Sequence, residues 1–207
     1  KSTVHGASST TTLTTVNMPS LILASASPRR SELLSQLNLQ HTTHIADVDE
    51  TPLKNEAPLD YVMRVAHLKS LAIQQQITQG SVILAADTSV ILGDIIMGKP
   101  DNLDHAMSML SQLSGQTHQV YTAVSIRGKQ LQQILNVSHV TFRDISEQEI
   151  IQYWHTGEPA DKAGAYAVQG LASIFITSIQ GSFSGIMGLP LFETAQLLAN
   201  EGISVFK

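Results

Sequence analysis

Residues 21–34, LILASASPRRSELL, decide the fold. LILAS is a short apolar run, and Ser27 followed by Pro28 is the pattern of a helix N-cap and a first helical residue. Leu33, Leu34 and Leu37 then recur with helical period, so the stretch reads as strand, tight turn and helix. Working outward, the alternation repeats. After a polar segment ending in DVDET (47–51), residues 59–79 form a long helical candidate, and SVILAADTSVILG (81–93) follows as buried strand. Gly93-Asp94 marks a turn into IIMG, hence a hairpin. Asp101 or Asn102 caps a helix through Leu103, Ala106, Met107, Leu110 and Leu113 that ends near Gly115. HQVYTAVSI (118–126) and LQQILNVSHVTF (131–142), separated by RGK, make a second hairpin. Ser146 with Glu149 has capping-box spacing and opens a helix that stops by Gly157. A loop, EPADKAGAYAVQG (158–170), leads to an expected strand LASIFITSI (171–179); GSFSGIMGLP (181–190) then introduces a last helix, and ISVF (203–206) a final strand. Helices alternating with strands, plus two hairpins, predict an α/β fold with a mixed central sheet flanked by helices.

Composition narrows the function classes. The 207 residues carry a net charge of −5, with no Lys/Arg run, so an extended nucleic-acid or anionic-membrane surface is not expected. No stretch approaches the roughly 20 apolar residues of a membrane span. The absence of cysteine removes disulfides, thiolate metal sites and cysteine nucleophiles, and fits a cytoplasmic protein. Residues 1–17, KSTVHGASSTTTLTTVN, are polar and Ser/Thr-rich, whereas Met18 opens MPSLILAS; the reading is a vector-derived or disordered leader at 1–17 and one domain at 18–207.

Three constellations carry chemistry. Ser25, Ser27, Arg29 and Arg30 gather where a strand turns into a helix N-terminus. That terminus already carries about half a positive charge, so two arginines there call for an anion, and hydroxyls, backbone N–H groups and a guanidinium fork suit phosphate. A solvated turn with the long side chains folded away is the alternative. The second constellation is acidic: Asp47, Asp49 and Glu50 in a loop, and Asp87 at the end of VILAAD. A carboxylate after six apolar or small residues needs a partner, and hard oxygens of this kind bind Mg²⁺ or Mn²⁺ or activate water. Asp87 could instead cap a turn through its own backbone. Third, Arg64, Lys69, Lys99 and Lys162 sit among apolar, Gly, Pro and Ala residues in a charge-poor chain, although singly each would also serve as a salt-bridge partner. No Walker-type loop, zinc helix or G-x-S-x-G elbow occurs. His118 and His155 read as structural, and Met107, Met109 and Met187 as core filling.

Taken together these motifs resemble the Maf family of nucleoside triphosphate pyrophosphatases, once described as septum-formation inhibitors. SASPRRSELL, DVDET, the helix with Arg64 and Lys69, AADTSV, GKP, LSGQTHQVYTAV, DKAGAYAVQG and GSFSGIMGLPL occur in order from Met18 nearly to the C-terminus. DKAGAY followed by Gln169-Gly170 is similar to the branch acting on dTTP and UTP rather than on 7-methyl-GTP. The resemblance implies one catalytic domain at 18–207, two lobes around a cleft, and metal-dependent cleavage between the α and β phosphates. It makes Asp87 the catalytic acidic residue and, with Glu50, a ligand of Mg²⁺ or Mn²⁺. Ser25, Arg29, Arg30, Lys69 and Lys99 would hold phosphates, and Arg29, Thr88 and Gln169 match positions linked to substrate choice. Gln169 could read the O2, N3–H and O4 edge shared by uracil and thymine. Position 185 is Gly where many members carry Asn. The implied partners are a nucleoside triphosphate and a second copy in a homodimer, with no nucleic acid or membrane. A nucleotide-binding regulator of septum formation without catalysis, and an enzyme for modified nucleotides, are the competing readings.

Overall fold

The structure, a computed structural model, describes residues 19–77 and 80–206, so the 1–17 leader lies outside the described residues. Seven strands form one mixed sheet in the order β2-β1-β3-β5-β6-β7, with β4 also on β3. They are β1 (Ser20–Ala24), β2 (Thr42–His44), β3 (Ser81–Leu92), β4 (Ile95–Met97), β5 (Thr117–Arg127), β6 (Leu131–Phe142) and β7 (Ile176–Gln180). The helices are α1 (Pro28–Gln36), α2 (Pro58–Gln74), α3 (Leu103–Leu113), α4 (Glu147–Trp154), α5 (Phe183–Met187) and α6 (Leu191–Asn200). Strands β1, β2 and β3 run parallel, and β3, β5, β6 and β7 pair antiparallel. None of the helices described is long and apolar enough to cross a membrane.

β3 organises the molecule. One edge pairs with β5 over residues 83–91, while the other pairs with β1 only at residues 81–84 and with β4 only at 90–92. Residues 85–89 therefore present an open edge among the described residues. The faces divide too. Leu84 and Ala86 join a core with Leu23, Leu33, Leu34 and Leu198, whereas Val90, on the same face, joins a second core with Leu110, Leu113, Phe142 and Tyr153. Thr88 lies where those cores part, and half-buried Met187 touches both. The opposite face carries α2, whose buried stripe is Tyr61, Val62, Val65, Ala66, Lys69, Ser70 and Ile73.

Several local expectations need correction. α2 stops at Gln74, because its buried stripe ends at Ile73; Thr78 and Gln79 lie outside the described residues. Residues 171–175 form a 3-10 helix rather than the start of a strand, with Ala172 and Phe175 turned into the core. The 181–190 segment opens two helices, separated at Gly188, which takes a left-handed conformation. No strand forms at 203–206: the Ile203 N–H bonds back to the Leu198 carbonyl, Ile203 is buried and Phe206 is exposed. β2 has three exposed residues and no apolar alternation to announce it. Ser27 sits at the α1 N-cap but makes no side-chain cap bond; Asn102 caps α3 and Ser146 with Glu149 closes a capping box on α4.

Two consequences are measurable. His118 is 1% exposed, edge-on to Phe142 and Tyr166, with Nε2 2.8 Å from the Tyr166 hydroxyl and Nδ1 without a partner. Burial holds its ring at about 4, below the ordinary 6.5. The unfolded chain thus takes up a proton between pH 6.5 and 4 that the folded chain refuses, and stability falls as pH drops through that window, by roughly 3 kcal/mol from this group. Urea unfolding of His118→Gln should lose that component of the slope; an unchanged slope contradicts it. Gly164 has a φ of +66°, and a Cβ there would lie 2.9 Å from the Val90 side chain. Gly164→Ala should destabilise by about 1–3 kcal/mol, lowering Tm by roughly 2–4 °C per kcal/mol; an unshifted melt contradicts the close approach.

Candidate active site

The open edge of β3 forms one wall of a cleft of about 460 Å³. β1 delivers Ser25 and the α1 N-terminus to one side, α2 delivers Tyr61 and Lys69, the residues after β4 deliver Lys99, and the loop before the 171–175 helix delivers Lys162, Tyr166 and Gln169. Five cations, Arg29, Arg30, Lys69, Lys99 and Lys162, face three carboxylates, Glu50, Asp87 and Asp161. In a chain of net charge −5, this local cationic excess suits an anion.

The centre is Lys69. It occupies a core position on α2, and its Nζ lies 2.9 Å from both Glu50 Oε1 and Asp87 Oδ1. Asp87 is 5% exposed, yet Oδ2 has no hydrogen bond among the described residues and is not sealed from the cleft. Burial, with the negative Asp87 and Glu50 nearby, pushes the Tyr61 phenol up to about 12, so it remains a donor.

Arg30 is half-buried and directs its guanidinium to neutral oxygens: Nε to the Gly188 carbonyl at 2.8 Å, Nη1 to Ser25 Oγ at 3.1 Å and Nη2 to Thr88 Oγ1 at 3.2 Å. Burial lowers its pKa, with Asp87 opposing that shift. Thr88 Oγ1 is also 2.9 Å from Thr122 Oγ1, whose hydroxyl donates to the Gly185 carbonyl at 2.8 Å. These bonds tie α1, β3, β5 and α5 together beneath the cleft. Gly185 is buried, and a Cβ there would meet Asn136 Oδ1 at 2.6 Å, which is a physical reason for glycine at this position. Arg29 is less constrained, 3.9 Å from Asp161, which also contacts Lys162. Burial would raise the Asp161 carboxyl, but Lys162 and Arg29 outweigh it and hold it low. Lys99 is exposed and makes no ion pair among the described residues. Gln169 is exposed at the tip of a turn closed by the Gly170 N–H on the Ala167 carbonyl at 3.0 Å.

All nine candidate site residues thus line one cleft: Ser25, Arg29, Arg30, Glu50, Lys69, Asp87, Thr88, Lys99 and Gln169. Ser27 and Lys162, also singled out in the sequence, line it too, whereas others stand elsewhere. Arg64 pairs with Glu56 at 2.6 Å and with the Thr51 carbonyl, pinning the preceding loop and holding the Glu56 carboxyl at about 2. Asp49 accepts its own turn's Thr51 N–H, and neither Asp47 nor Asp49 lines the cleft. His118 is core, Met109 is buried, and Met107 and Met187 pack partly buried against the cores. Tyr61, Asp161 and Tyr166 line the cleft without having been anticipated. Tyr61 was legible in principle, since it lies two helical steps of four before Lys69 on the same stripe.

No group of three or more His, Asp and Glu side chains gathers among the described residues. Glu50 and Asp87 do converge on one point, and one or two carboxylates completed by phosphate oxygens and water is how Mg²⁺ is commonly held. The donor set fits such an ion.

A family model described as Maf-like protein matches residues 20–201. The chain is 51% identical over 199 residues to a dTTP/UTP pyrophosphatase of Nitrosomonas europaea, covering 90% of this chain and 96% of the relative. It is 52% identical over 184 residues to one of Methylococcus capsulatus, covering 88% and 91%. A third, from Pseudoalteromonas atlantica, is 50% identical over 188 residues, covering 89% and 98%. With the family match spanning most of the chain and this level of identity, the chain belongs to the Maf-like protein family.

Proposed function

We propose that this protein is a nucleoside triphosphate pyrophosphatase that hydrolyses dTTP and UTP to the monophosphate and pyrophosphate, with residues 18–207 acting as one catalytic domain. The observation that carries the reading is Asp87 on the open edge of β3, with one oxygen held by Lys69 and the other open to a cation-lined cleft. A structural carboxylate would be satisfied on both oxygens; one left half free beside a phosphate-sized concentration of cations suits a general base. The names of its relatives supply the substrates.

In this reading Ser25, Arg29, Lys69 and Lys99 bind the triphosphate, and Arg30, through Ser25 and Thr88, fixes the geometry around it. A phosphate oxygen offers Lys69 Nζ an anionic partner in place of the two carboxylates it now bridges. Asp87 Oδ2 takes a proton from the attacking water as the α–β anhydride opens, and pyrophosphate leaves. A divalent cation, Mg²⁺ or Mn²⁺, held by Glu50 and Asp87 would supply charge neutralisation on the phosphates. Arg29, Thr88 and Gln169 bear on which base is accepted. The protein works in the cytoplasm as a homodimer.

Pyrophosphate release from dTTP, UTP, CTP, dATP, GTP and 7-methyl-GTP tests this. Release should be concentrated on dTTP and UTP, vanish on chelation and return with Mg²⁺ or Mn²⁺. Asp87→Asn should lower kcat by about 10²–10⁴ while circular dichroism stays native. Binding of these nucleotides without any hydrolysis would favour a nucleotide-responsive regulator instead.

A further inference from the structure

Gln169 is exposed at the cleft, yet the residues on either side of it are held from outside the cleft. The Ala167 N–H donates to the Tyr153 hydroxyl at 3.2 Å, and that hydroxyl donates to Glu158 Oε1 at 2.6 Å. Glu158 in turn accepts the Leu171 N–H on Oε2 at 2.9 Å and the Ala172 N–H on Oε1 at 3.3 Å. One Tyr–Glu pair thus grips both flanks of the turn 167–170. It also takes the two leading N–H groups of the 171–175 helix, which has no side-chain cap from its own N-cap residue. The grip is tight enough to dictate a neighbour: a Cβ on Gly170 would fall on the Glu158 carboxylate. Tyr153 is 4% exposed, and neither it nor Glu158 lines the cleft. Burial and the bond to Glu158 raise the Tyr153 phenol, keeping it the donor this chain of bonds requires.

We propose that Tyr153 and Glu158 are positioning residues that fix Gln169 against the base and so set pyrimidine selectivity without touching substrate. The proposal rests on the pyrimidine-triphosphate reading above. Its logic is that an exposed amide on a turn discriminates between bases only if the turn cannot swing, since a mobile amide can satisfy either a carbonyl or an amino edge. The Gly170 N–H to Ala167 carbonyl bond closes the turn on itself and Val168, 5% exposed, packs in the core, while the Tyr–Glu pair anchors both ends of the turn to α4 and the segment after it.

The test measures kcat and KM of Tyr153→Phe and Glu158→Gln on UTP, dTTP and CTP, alone and combined with Gln169→Ala. Each single variant should raise KM for UTP and dTTP by about tenfold, with kcat much less affected, and narrow the preference over CTP. In the Gln169→Ala background neither should narrow it further, because the residue they position is gone. Equal losses on UTP and CTP, or effects that add to that of Gln169→Ala, would mean a merely structural role and overturn the proposal. So would a Gln169→Ala protein with unchanged selectivity. If Glu158→Gln does not fold, Tyr153→Phe, which deletes one oxygen, decides alone. A wild-type protein that hydrolyses neither UTP nor dTTP overturns the functional reading and this proposal with it; a selective wild type with equally selective variants overturns the proposal only.

Discussion

β3 changes partner along one edge, and that switch generates the site. Its first residues pair with parallel β1 and its last with antiparallel β4, so residues 85–89 have a ladder on the β5 side only. An unpaired stretch inside a buried strand would ordinarily be a liability, since its backbone groups lose their partners. Here the gap opens on the cleft, where water or substrate can reach it. The same stretch sends Asp87 to the α2 face and Thr88 to the face where two cores separate. Neighbouring residues on one strand thus address the two sides of one cleft.

Charge is handled locally. Lys69 is the one charged residue in the buried stripe of α2, and it can stand there only because Asp87 and Glu50 meet its ammonium, each at 2.9 Å. The α1 N-terminus poses the opposite problem, two arginines at the positive end of a helix. Arg30 is accommodated by three neutral oxygens and Arg29 by the Asp161 carboxylate across the cleft. Asp161 is the group that a bound phosphate would compete with for Arg29 and Lys162. The cleft thus pairs its cations with carboxylates above a hydrogen-bonded base of Ser25, Arg30, Thr88 and Thr122.

Much of this was legible because the motifs lie at element ends. Strand-to-helix turns, the Asn102 and Ser146 caps and the Gly93-Asp94 hairpin have local chemistry that a sequence displays directly. Arg29, Arg30, Lys69 and Lys99 stood out as cations in a charge-poor chain and Asp87 as a carboxylate ending an apolar run, whereas Thr88 and Gln169 were marked only by the family resemblance. What escaped depends on distant contacts. The 171–175 helix is capped by Glu158, thirteen residues earlier, and an apolar run read without that partner resembles a strand. The same holds at 203–206, where apolar residues fill a core without meeting a sheet edge. Asp161 was hidden for another reason: a single aspartate in a loop has no distinctive spacing until the fold supplies its neighbours.

The most direct test is a crystal structure with the α,β-imido analogue of dTTP and Mn²⁺, the metal placed by its anomalous signal. The account predicts phosphates against Arg29, Lys69 and Lys99, manganese beside Glu50 and Asp87, Lys69 released from at least one carboxylate, and the thymine at Gln169. An analogue bound elsewhere, with Lys69 still bridging Glu50 and Asp87 and no metal beside them, would contradict it.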